Sequence, residues 1–359
     1  MKITIITTLI TAIFYTINIY GETKYYDASQ FSIIGKPVYN NSIQYGRLPD
    51  SLENKIRQPL WDLGRNSAGI AIRFSSNTTS ISAKWDVWLI RNMNHMTPTG
   101  IRGLDLYCLQ DNGTWAFVNC ARPGNEKSNI AKIVTDMEPR DREYMLYLPL
   151  YDQCTALEIG IDSAAVINKP KIASPSTIKP IVWYGSSILQ GGCASRPGMA
   201  VTNIISRNLN HEVINLGFSG NGQLDYEIAE VMAAVDAGMY ILDFVPNATE
   251  AQMDERIETF YRIIRDKHPK TPILFVEDPQ FPPMRFEKKT YTSVLAKNKT
   301  LKKNFDDLKN KGEKNIYYIA SKGMLDKENE GTVDGYHMTD LGFTHFANFM
   351  LPYIKKHLK

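Results

Sequence analysis

The stretch PIVWYGSSILQGG, residues 180–192, decides the fold of the second half of the chain. Its apolar run 181–184 predicts a buried strand, and the glycine and two serines that follow predict a turn at the strand's end. Near-continuous apolar strands are typical of parallel sheets covered by helices on both faces. The stretch therefore predicts an α/β fold with hydroxyl groups just beyond a strand.

Residues 181–359 continue as an alternation of strands and helices. The predicted strands are HEVINLGFSG (211–220), MYILDFVPN (239–247), TPILFVED (271–278) and NIYYIA (315–320). The predicted helices are GMAVTNIISRNLN (198–210), DYEIAEVMAAVDA (225–237), EAQMDERIETFYRIIRDKH (250–268) and TDLGFTHFANFMLPYIKKHL (339–358). This order predicts a doubly wound parallel sheet, a flavodoxin-like three-layer α/β/α domain.

The preceding residues 22–168 show a different pattern. Short runs in which apolar and polar residues alternate are separated by residues typical of turns. The runs are GIAIRF (69–74), SISAKWDVWLI (80–90), GLDLYCLQDNGTWAFVNC (103–120) and MLYLPLY (145–151). Many short strands without helical periodicity predict a β-sandwich, and Asn-Gly within QDNGTW (110–115) predicts a hairpin. The Pro- and Ser-containing run 169–180 is predicted as a linker between two domains.

The first 21 residues fit a secretory signal peptide, since Lys2 is followed by an uncharged apolar run to Gly21. A membrane anchor is the alternative, but five threonines and Asn18 make the run a poor bilayer span. We therefore expect a secreted or periplasmic protein with no membrane contact beyond the export signal. The net charge of +3 over 359 residues argues against a nucleic-acid partner. Oligomeric state stays open.

Polar residues follow the predicted strands of the second half, at the edge where open α/β sheets bind ligands. They are Ser186, Ser187, Ser219, Gly220, Asn247, Glu277 and Asp278. A serine becomes a nucleophile only when a base accepts its proton and an acid orients that base. Among six histidines, His337 suits this role because it precedes the last helix and follows Asp334 by three residues. The alternative is an exposed loop histidine beside a helix cap at Thr339 or Asp340.

Four blocks carry a family resemblance. YGSSILQGG (184–192), NLGFSGNG (215–222), DFVPNAT (243–249) and DGYHMTDLG (334–342) resemble those of the SGNH (GDSL-type) hydrolase superfamily, in the expected order. GLDLY (103–107) is similar to a motif of the β-sandwich that precedes a bacterial subgroup of these enzymes. The resemblance implies Ser187 as nucleophile, His337 as base and Asp334 as its partner. It implies an oxyanion hole of the Ser187 and Gly220 N–H groups and the Asn247 side chain, with no metal or cofactor.

Two blocks depart from the family pattern. Ser186 stands where the family commonly has Asp, and Pro246-Asn247-Ala248 replaces the usual Gly-x-Asn-Asp. Neither change removes a group that the chemistry needs, but the first raises the question of which serine attacks. By block position the nucleophile is Ser187.

The expected activity is hydrolysis of O-acyl esters of carbohydrates, chiefly O-acetyl esters, through an acyl-enzyme, with a small molecule or oligosaccharide as substrate. Arg196, Glu277 and His95 are candidate substrate contacts. A lipase or thioesterase using the same three residues is one alternative, and a non-catalytic carbohydrate-binding protein is another.

The four cysteines are Cys108, Cys120, Cys154 and Cys193. None lies in a C-x-x-C pair or at zinc-finger spacing to a histidine, so no structural metal is expected. A disulfide between Cys108 and Cys120 stays open. Cys193, six residues after Ser187, is interpreted as small filler in a glycine-rich turn rather than as a nucleophile.

Overall fold

The computed structural model describes residues 22–37, 42–325 and 329–358. The predicted signal peptide, residues 1–21, lies outside these ranges. Within them, no helix combines the length and the apolar character that crossing a membrane would require.

Two antiparallel sheets pack face to face in the first half, which confirms the predicted β-sandwich. One has the order β1-β9-β4-β7 and the other β10-β3-β8-β5-β6, with β2 added beside β3. Phe74, Leu106 and Leu146 of the second sheet meet Trp85 and Ile159 of the first in the core. The strands are β1 (Thr23–Asp27), β2 (Ser32–Ile34), β3 (Ala71–Ser76), β4 (Ile81–Val87), β5 (Leu104–Leu109), β6 (Trp115–Ala121), β7 (Ser128–Val134), β8 (Arg142–Tyr147), β9 (Cys154–Asp162) and β10 (Ile167–Asn168).

The predicted hairpin joins β5 and β6, but its turn differs from the expected one. Only Gly113 of the Asn-Gly pair has a positive φ, +79°. The Asn112 side chain instead accepts a hydrogen bond from the Thr114 backbone N–H at 3.0 Å. Asn112 therefore stabilises the turn as a side-chain acceptor rather than through a left-handed backbone.

The second half is a five-stranded parallel sheet with the order β12-β11-β13-β14-β15 and helices on both faces, as the alternation predicts. Along β11, Val182 and Tyr184 pack on one helical layer while Ile181 and Trp183 pack on the other. The strands are β11 (Ser176–Gly185), β12 (His211–Gly217), β13 (Met239–Asp243), β14 (Ile273–Val276) and β15 (Ile316–Ile319). Strand β11 begins inside the range 169–180 that was predicted as a linker.

Helices cover both faces of this sheet. The helices are α1 (Gln58–Gly64), α2 (Pro98–Arg102), α3 (Ser187–Gln190), α4 (Val201–Leu209), α5 (Tyr226–Ala233), α6 (Glu250–Lys267), α7 (Lys288–Asn310) and α8 (Asp340–His357). The two helices of the first half, α1 and α2, pack against the second half. The sequence analysis assigned no element to α7, whose buried side chains form only a sparse stripe of Val294, Asn298, Leu301, Phe305 and Leu308.

Segment 43–64 belongs to the first half by sequence but packs on the α/β half. Leu60 and Trp61 of α1 lie in the same apolar cluster as Phe218. The fully buried Arg47 donates to the carbonyl oxygens of Asn215, at 3.3 Å, and Gly217, at 2.6 Å. The two halves therefore share a packed, hydrogen-bonded contact next to the end of β12.

Candidate active site

Ser187 is the first residue of the short helix α3, directly after β11. Its Oγ lies 2.9 Å from Nε2 of His337. Ser186 has a different position, since it is the N-cap of α3, is fully buried, and accepts a hydrogen bond from the Ile188 N–H at 3.3 Å. The strand end thus directs one hydroxyl toward the histidine and uses the other to cap a helix.

His337 is oriented by Asp334, three residues earlier in the same loop. The Asp334 Oδ2 lies 2.7 Å from the His337 Nδ1, and its Oδ1 accepts the backbone N–H groups of Tyr336 and His337 at 3.0 and 2.8 Å. Burial alone would raise the pKa of Asp334, but these hydrogen bonds outweigh it and lower the pKa to about 2. A charged Asp334 fixes the Nδ1–H tautomer, which leaves Nε2 free to accept the Ser187 proton.

Three N–H donors were predicted around Ser187. The Ser187 N–H lies in the first turn of α3, where a helix offers no internal acceptor. Gly220 has φ +68°, and a side chain there would meet nothing within 4 Å, so its backbone is open on that side. Asn247 accepts the Gly222 N–H through Oδ1 at 3.1 Å, which leaves the Nδ2 hydrogens for another acceptor.

Two buried side chains that the sequence analysis missed hold this arrangement. Gln190 donates to the Leu150 carbonyl at 3.1 Å and accepts the Ser219 N–H at 3.0 Å, so it connects α3 with the turn that contains Gly220. The Tyr151 hydroxyl donates to the Ser187 carbonyl at 3.1 Å. Leu150 and Tyr151 come from the first half of the chain, and nothing in their local sequence marks them as neighbours of Ser187.

A cleft of about 480 Å³ opens beside these groups. Ser187, Asn247 and His337 line it together with the mainly polar or aromatic residues Asp278, Phe281, Lys289, Thr290, Ser293, Lys297 and Tyr336, and with Ile188, Pro246 and Val294. Burial raises the pKa of Asp278 to about 7, and the positive charge of Lys297 opposes that rise. The Asp278 Oδ1 is buried without a hydrogen-bond partner among the described residues.

The three candidate substrate contacts lie in different surroundings. Arg196 donates through Nη1 to the Asp105 Oδ2 at 2.7 Å and the Tyr107 hydroxyl at 2.6 Å, so its guanidinium is engaged by the GLDLY segment. Glu277 accepts hydrogen bonds from the Tyr318 hydroxyl and from Ser321. Of the three, His95 lies beside the Ser187, His337 and Asp334 group, with its ring centroid 5.4 Å from that of His337.

All four cysteines are free, so the Cys108–Cys120 disulfide does not form. On the β5–β6 ladder Cys108 pairs with Ala116 and Cys120 pairs with Asp105. The two cysteines are therefore three residues apart along the strands, roughly 10 Å, beyond disulfide reach. Burial, together with the negative charge of Asp334, raises the pKa of the Cys193 thiol to about 12, which makes it a poor nucleophile.

Comparison with known proteins gives a family match for each half of the chain. Residues 178–355 match the GDSL-like lipase/acylhydrolase family, and residues 23–167 match the N-terminus of SGNH-hydro-type esterases. No curated protein sequence matches the chain.

Among solved structures, a protein from Bacteroides ovatus named as a GDSL-like lipase has 36% sequence identity and a TM-score of 0.90, over 94% of this chain and 98% of its own. Two more distant structures share the fold. One is a family two carbohydrate esterase from Cellvibrio japonicus, with 12% identity and a TM-score of 0.59 over 94% of this chain and 98% of its own. The other is the salicylyl-acyltransferase SsfX3 of a tetracycline biosynthetic pathway, with 15% identity and a TM-score of 0.77 over 93% and 97%. The family match and the Bacteroides relative establish that the chain belongs to the GDSL-like lipase/acylhydrolase family, the SGNH hydrolases.

Proposed function

We propose that the protein is a serine esterase in which Ser187, His337 and Asp334 act as a catalytic triad. The observation that carries the proposal is the continuous chain of hydrogen bonds from the Ser187 Oγ through both nitrogens of His337 to Asp334. As Ser187 attacks the ester carbonyl carbon, its proton moves to the His337 Nε2 and the Asp334 carboxylate stabilises the imidazolium. The strongly lowered pKa of Asp334 supports this role, because the carboxylate keeps its charge throughout.

The negative charge that develops on the carbonyl oxygen needs donors that are already oriented. The backbone N–H groups of Ser187 and Gly220 and the Nδ2 of Asn247 are the proposed donors. The hydrogen bond from Gly222 to the Asn247 Oδ1 supports this, since it holds the amide in one orientation before substrate binds. His337 then donates its proton to the leaving alcohol, and water, deprotonated by His337, releases the acid from Ser187.

The proposed substrates are O-acyl esters of carbohydrates, chiefly O-acetyl esters. A cleft of about 480 Å³ is small for a ligand site, and most of its lining side chains carry polar groups or aromatic rings. Phe281 and Tyr336 form one aromatic wall, with ring centroids 5.1 Å apart. Such a lining suits a hydroxylated sugar and a short acyl group better than a long hydrocarbon chain, and the carbohydrate esterase from Cellvibrio japonicus shares the fold.

A lipase is the second candidate, and one observation favours it. Phe286, Tyr291 and Leu295 have exposed side chains on the segment that continues from the cleft residue Phe281 into α7, and Phe286 is 87% exposed. Exposed apolar side chains beside a cleft are a plausible contact for an acyl chain or a lipid surface.

The test is a substrate panel: acetyl, butyryl and palmitoyl 4-nitrophenyl esters and an acetylated oligosaccharide, with wild type and Ser187→Ala. We expect turnover of the acetylated sugar and the acetyl ester, little turnover of the palmitoyl ester, and none with Ser187→Ala. Preference for the palmitoyl ester would replace the sugar-ester proposal with a lipase. Absence of turnover on every ester, with retained binding of oligosaccharide, would replace both with a binding protein.

We also propose that the protein is exported, on the basis of the residue pattern of positions 1–21. Expression of the full chain in a bacterial host should yield a mature form shortened near Gly21, measured by intact mass. A product that retains Met1–Gly21 in the cytoplasmic fraction would contradict export.

A further inference from the structure

Three potential metal ligands meet beside the proposed catalytic base. One ring nitrogen of His95, one of His337 and the Cys193 Sγ all lie within 4.8 Å of one another. His95 comes from the first half of the chain, whereas Cys193 and His337 lie 144 residues apart in the second half. Only the fold brings these donors together.

Both histidine rings have an oxygen atom against Nδ1, which leaves Nε2 as the nitrogen that can bind a metal. The Asn94 Oδ1 lies 2.9 Å from the His95 Nδ1, and the Asp334 Oδ2 lies 2.7 Å from the His337 Nδ1. Because these oxygens accept a proton from Nδ1, each ring keeps its lone pair on Nε2. A carboxylate or carbonyl oxygen on the far nitrogen is the usual second contact of a metal-bound histidine.

Cys193 is held in place by an unusual backbone. Its φ of +75° lies in the left-handed region, which a cysteine adopts at an energetic cost, and its side chain is almost fully buried. The same loop is tied to the segment that carries His95, because the Thr97 hydroxyl donates to the Ser195 carbonyl at 2.7 Å. The thiol and the two imidazoles are thus fixed by neighbouring contacts rather than meeting by chance on a mobile surface.

We propose that His95, Cys193 and His337 form an inhibitory binding site for Zn²⁺. Two imidazoles and a thiolate are the ligand types that zinc prefers, and they leave a fourth tetrahedral position for water. With bonds of about 2.0–2.3 Å the ligand atoms of a tetrahedral site lie about 3.3–3.8 Å apart, so the side chains close by about 1 Å. On binding, the Cys193 thiol loses its proton to water and the thiolate coordinates the metal.

Inhibition follows from the nitrogen that the metal takes, and this step rests on the proposed esterase function. The His337 Nε2 that would bind zinc is the atom that lies 2.9 Å from the Ser187 Oγ. Zinc on Nε2 takes the place of the hydrogen bond from the Ser187 hydroxyl, which must rotate away. The coordinated nitrogen then has no lone pair for the Ser187 proton, so acyl transfer stops until the metal leaves.

The metal site can be tested without any activity assay. Co²⁺, a spectroscopic substitute for zinc, is titrated into wild type, Ser187→Ala, His95→Gln and Cys193→Ser, with Cys120→Ser and His345→Gln as controls. We expect thiolate-to-cobalt charge-transfer and tetrahedral d–d bands in wild type, Ser187→Ala and both controls. Affinity should fall at least about tenfold in His95→Gln, and the charge-transfer band should vanish in Cys193→Ser. Wild type without these bands, or bands unchanged in Cys193→Ser, would overturn the proposal.

The inhibition is tested with 4-nitrophenyl acetate, each variant being compared with its own activity in EDTA. Zinc should inhibit wild type reversibly, and His95→Gln and Cys193→Ser should need at least about tenfold more zinc for half-inhibition. Equal sensitivity of wild type and both variants would contradict inhibition through this site. His95 lies in a half-exposed loop, so His95→Gln tests the site even if Cys193→Ser fails to fold. A protein inert on all esters that still gives the cobalt bands would refute the esterase and keep the metal site.

Discussion

Polar side chains gather both at the carboxyl edge of the parallel sheet and at the contact between the two halves. The two regions differ in how the hydrogen-bonding groups of these side chains are used. At the domain contact, Arg196 donates to Asp105 and Tyr107 and stacks its guanidinium 3.8 Å from the Phe117 ring. At the sheet edge, hydrogen bonds also hold Ser187 and Asn247 in place. The Ser187 backbone N–H and the Asn247 Nδ2, however, have no hydrogen-bond partner among the described residues. The Arg196 donors are used within the protein, which indicates a structural role, although the buried Asp105 Oδ1 has no hydrogen-bond partner among the described residues. The unused donors of Ser187 and Asn247 belong to residues that line a cleft, which indicates chemistry.

The largest difference between the two regions should appear when Ser187 is replaced. Ser187→Ala removes the proposed nucleophile and should lower kcat for 4-nitrophenyl acetate at least about 10⁴-fold. Ser186→Ala is the matched control, since it removes the neighbouring hydroxyl and costs helix stability of about 1 kcal/mol but should keep kcat within about tenfold. The reverse ranking of the two variants would move the nucleophile to Ser186.

Asn247→Ala removes one proposed oxyanion donor and leaves the triad in place. We expect kcat to fall about 10²–10³-fold with KM changed by less than about threefold, because the donor acts mainly on the transition state. Asn208→Ala, at an exposed asparagine of α4, is the control and should keep kcat. A rise in KM without a fall in kcat would instead assign Asn247 to substrate binding.

Arg196→Ala tests the other region. Asp105 is fully buried, and loss of its ion-pair partner leaves only the Gly198 N–H and the positive charge of Arg207 to stabilise its carboxylate. The free energy of unfolding should therefore fall by about 3 kcal/mol in urea titrations. Activity per folded molecule should stay within about threefold. Arg285→Ala, at an exposed arginine, is the control and should leave stability unchanged. A large rise in KM with unchanged stability would restore Arg196 as a substrate contact.

Asp278 combines features of the two regions, since it is buried like Asp105 but lines the cleft. Its pKa of about 7 means that the folded protein retains a proton that the unfolded chain releases above about pH 4. The free energy of unfolding should therefore fall as pH rises from about 4 to 7. Asp278→Asn cannot ionise, so the loss between pH 5 and 8 should shrink by about 2 kcal/mol relative to wild type. The exposed Asp307→Asn should keep the wild-type pH dependence, and an unchanged profile in Asp278→Asn would contradict the raised pKa.

The sequence predicts what depends on short-range pattern. The alternation of apolar strands and amphipathic helices predicts the α/β half, and the four blocks select Ser187, Asn247, Asp334 and His337, which the structure brings to one sheet edge. Helix α7 escapes prediction because most of its residues are polar and its buried side chains are sparse. In the folded protein this stripe packs against α6 and β15, and those contacts are not visible in the local sequence.

Contacts between residues far apart in the sequence could not be predicted, because only the folded chain brings those residues together. The local sequence indicates no partner for the side chains of Arg196 and Glu277. In the structure, each forms hydrogen bonds with residues at least 41 positions away. Gln190 and Tyr151 support Ser187 through contacts that cross the chain, and the His95, Cys193 and His337 group joins three separate segments. The search for metal sites by short spacing, such as C-x-x-C, cannot detect that arrangement.

Ser187 is the residue expected to form the acyl-enzyme, and covalent trapping identifies the attacking serine. The protein is treated with a fluorophosphonate, which reacts with an activated serine, and the peptide containing residues 182–192 is sequenced by tandem mass spectrometry. We expect one adduct per chain, on Ser187, which disappears in Ser187→Ala and in His337→Ala and persists in Ser186→Ala. An adduct on Ser186, or no adduct on a folded wild-type protein, would contradict it.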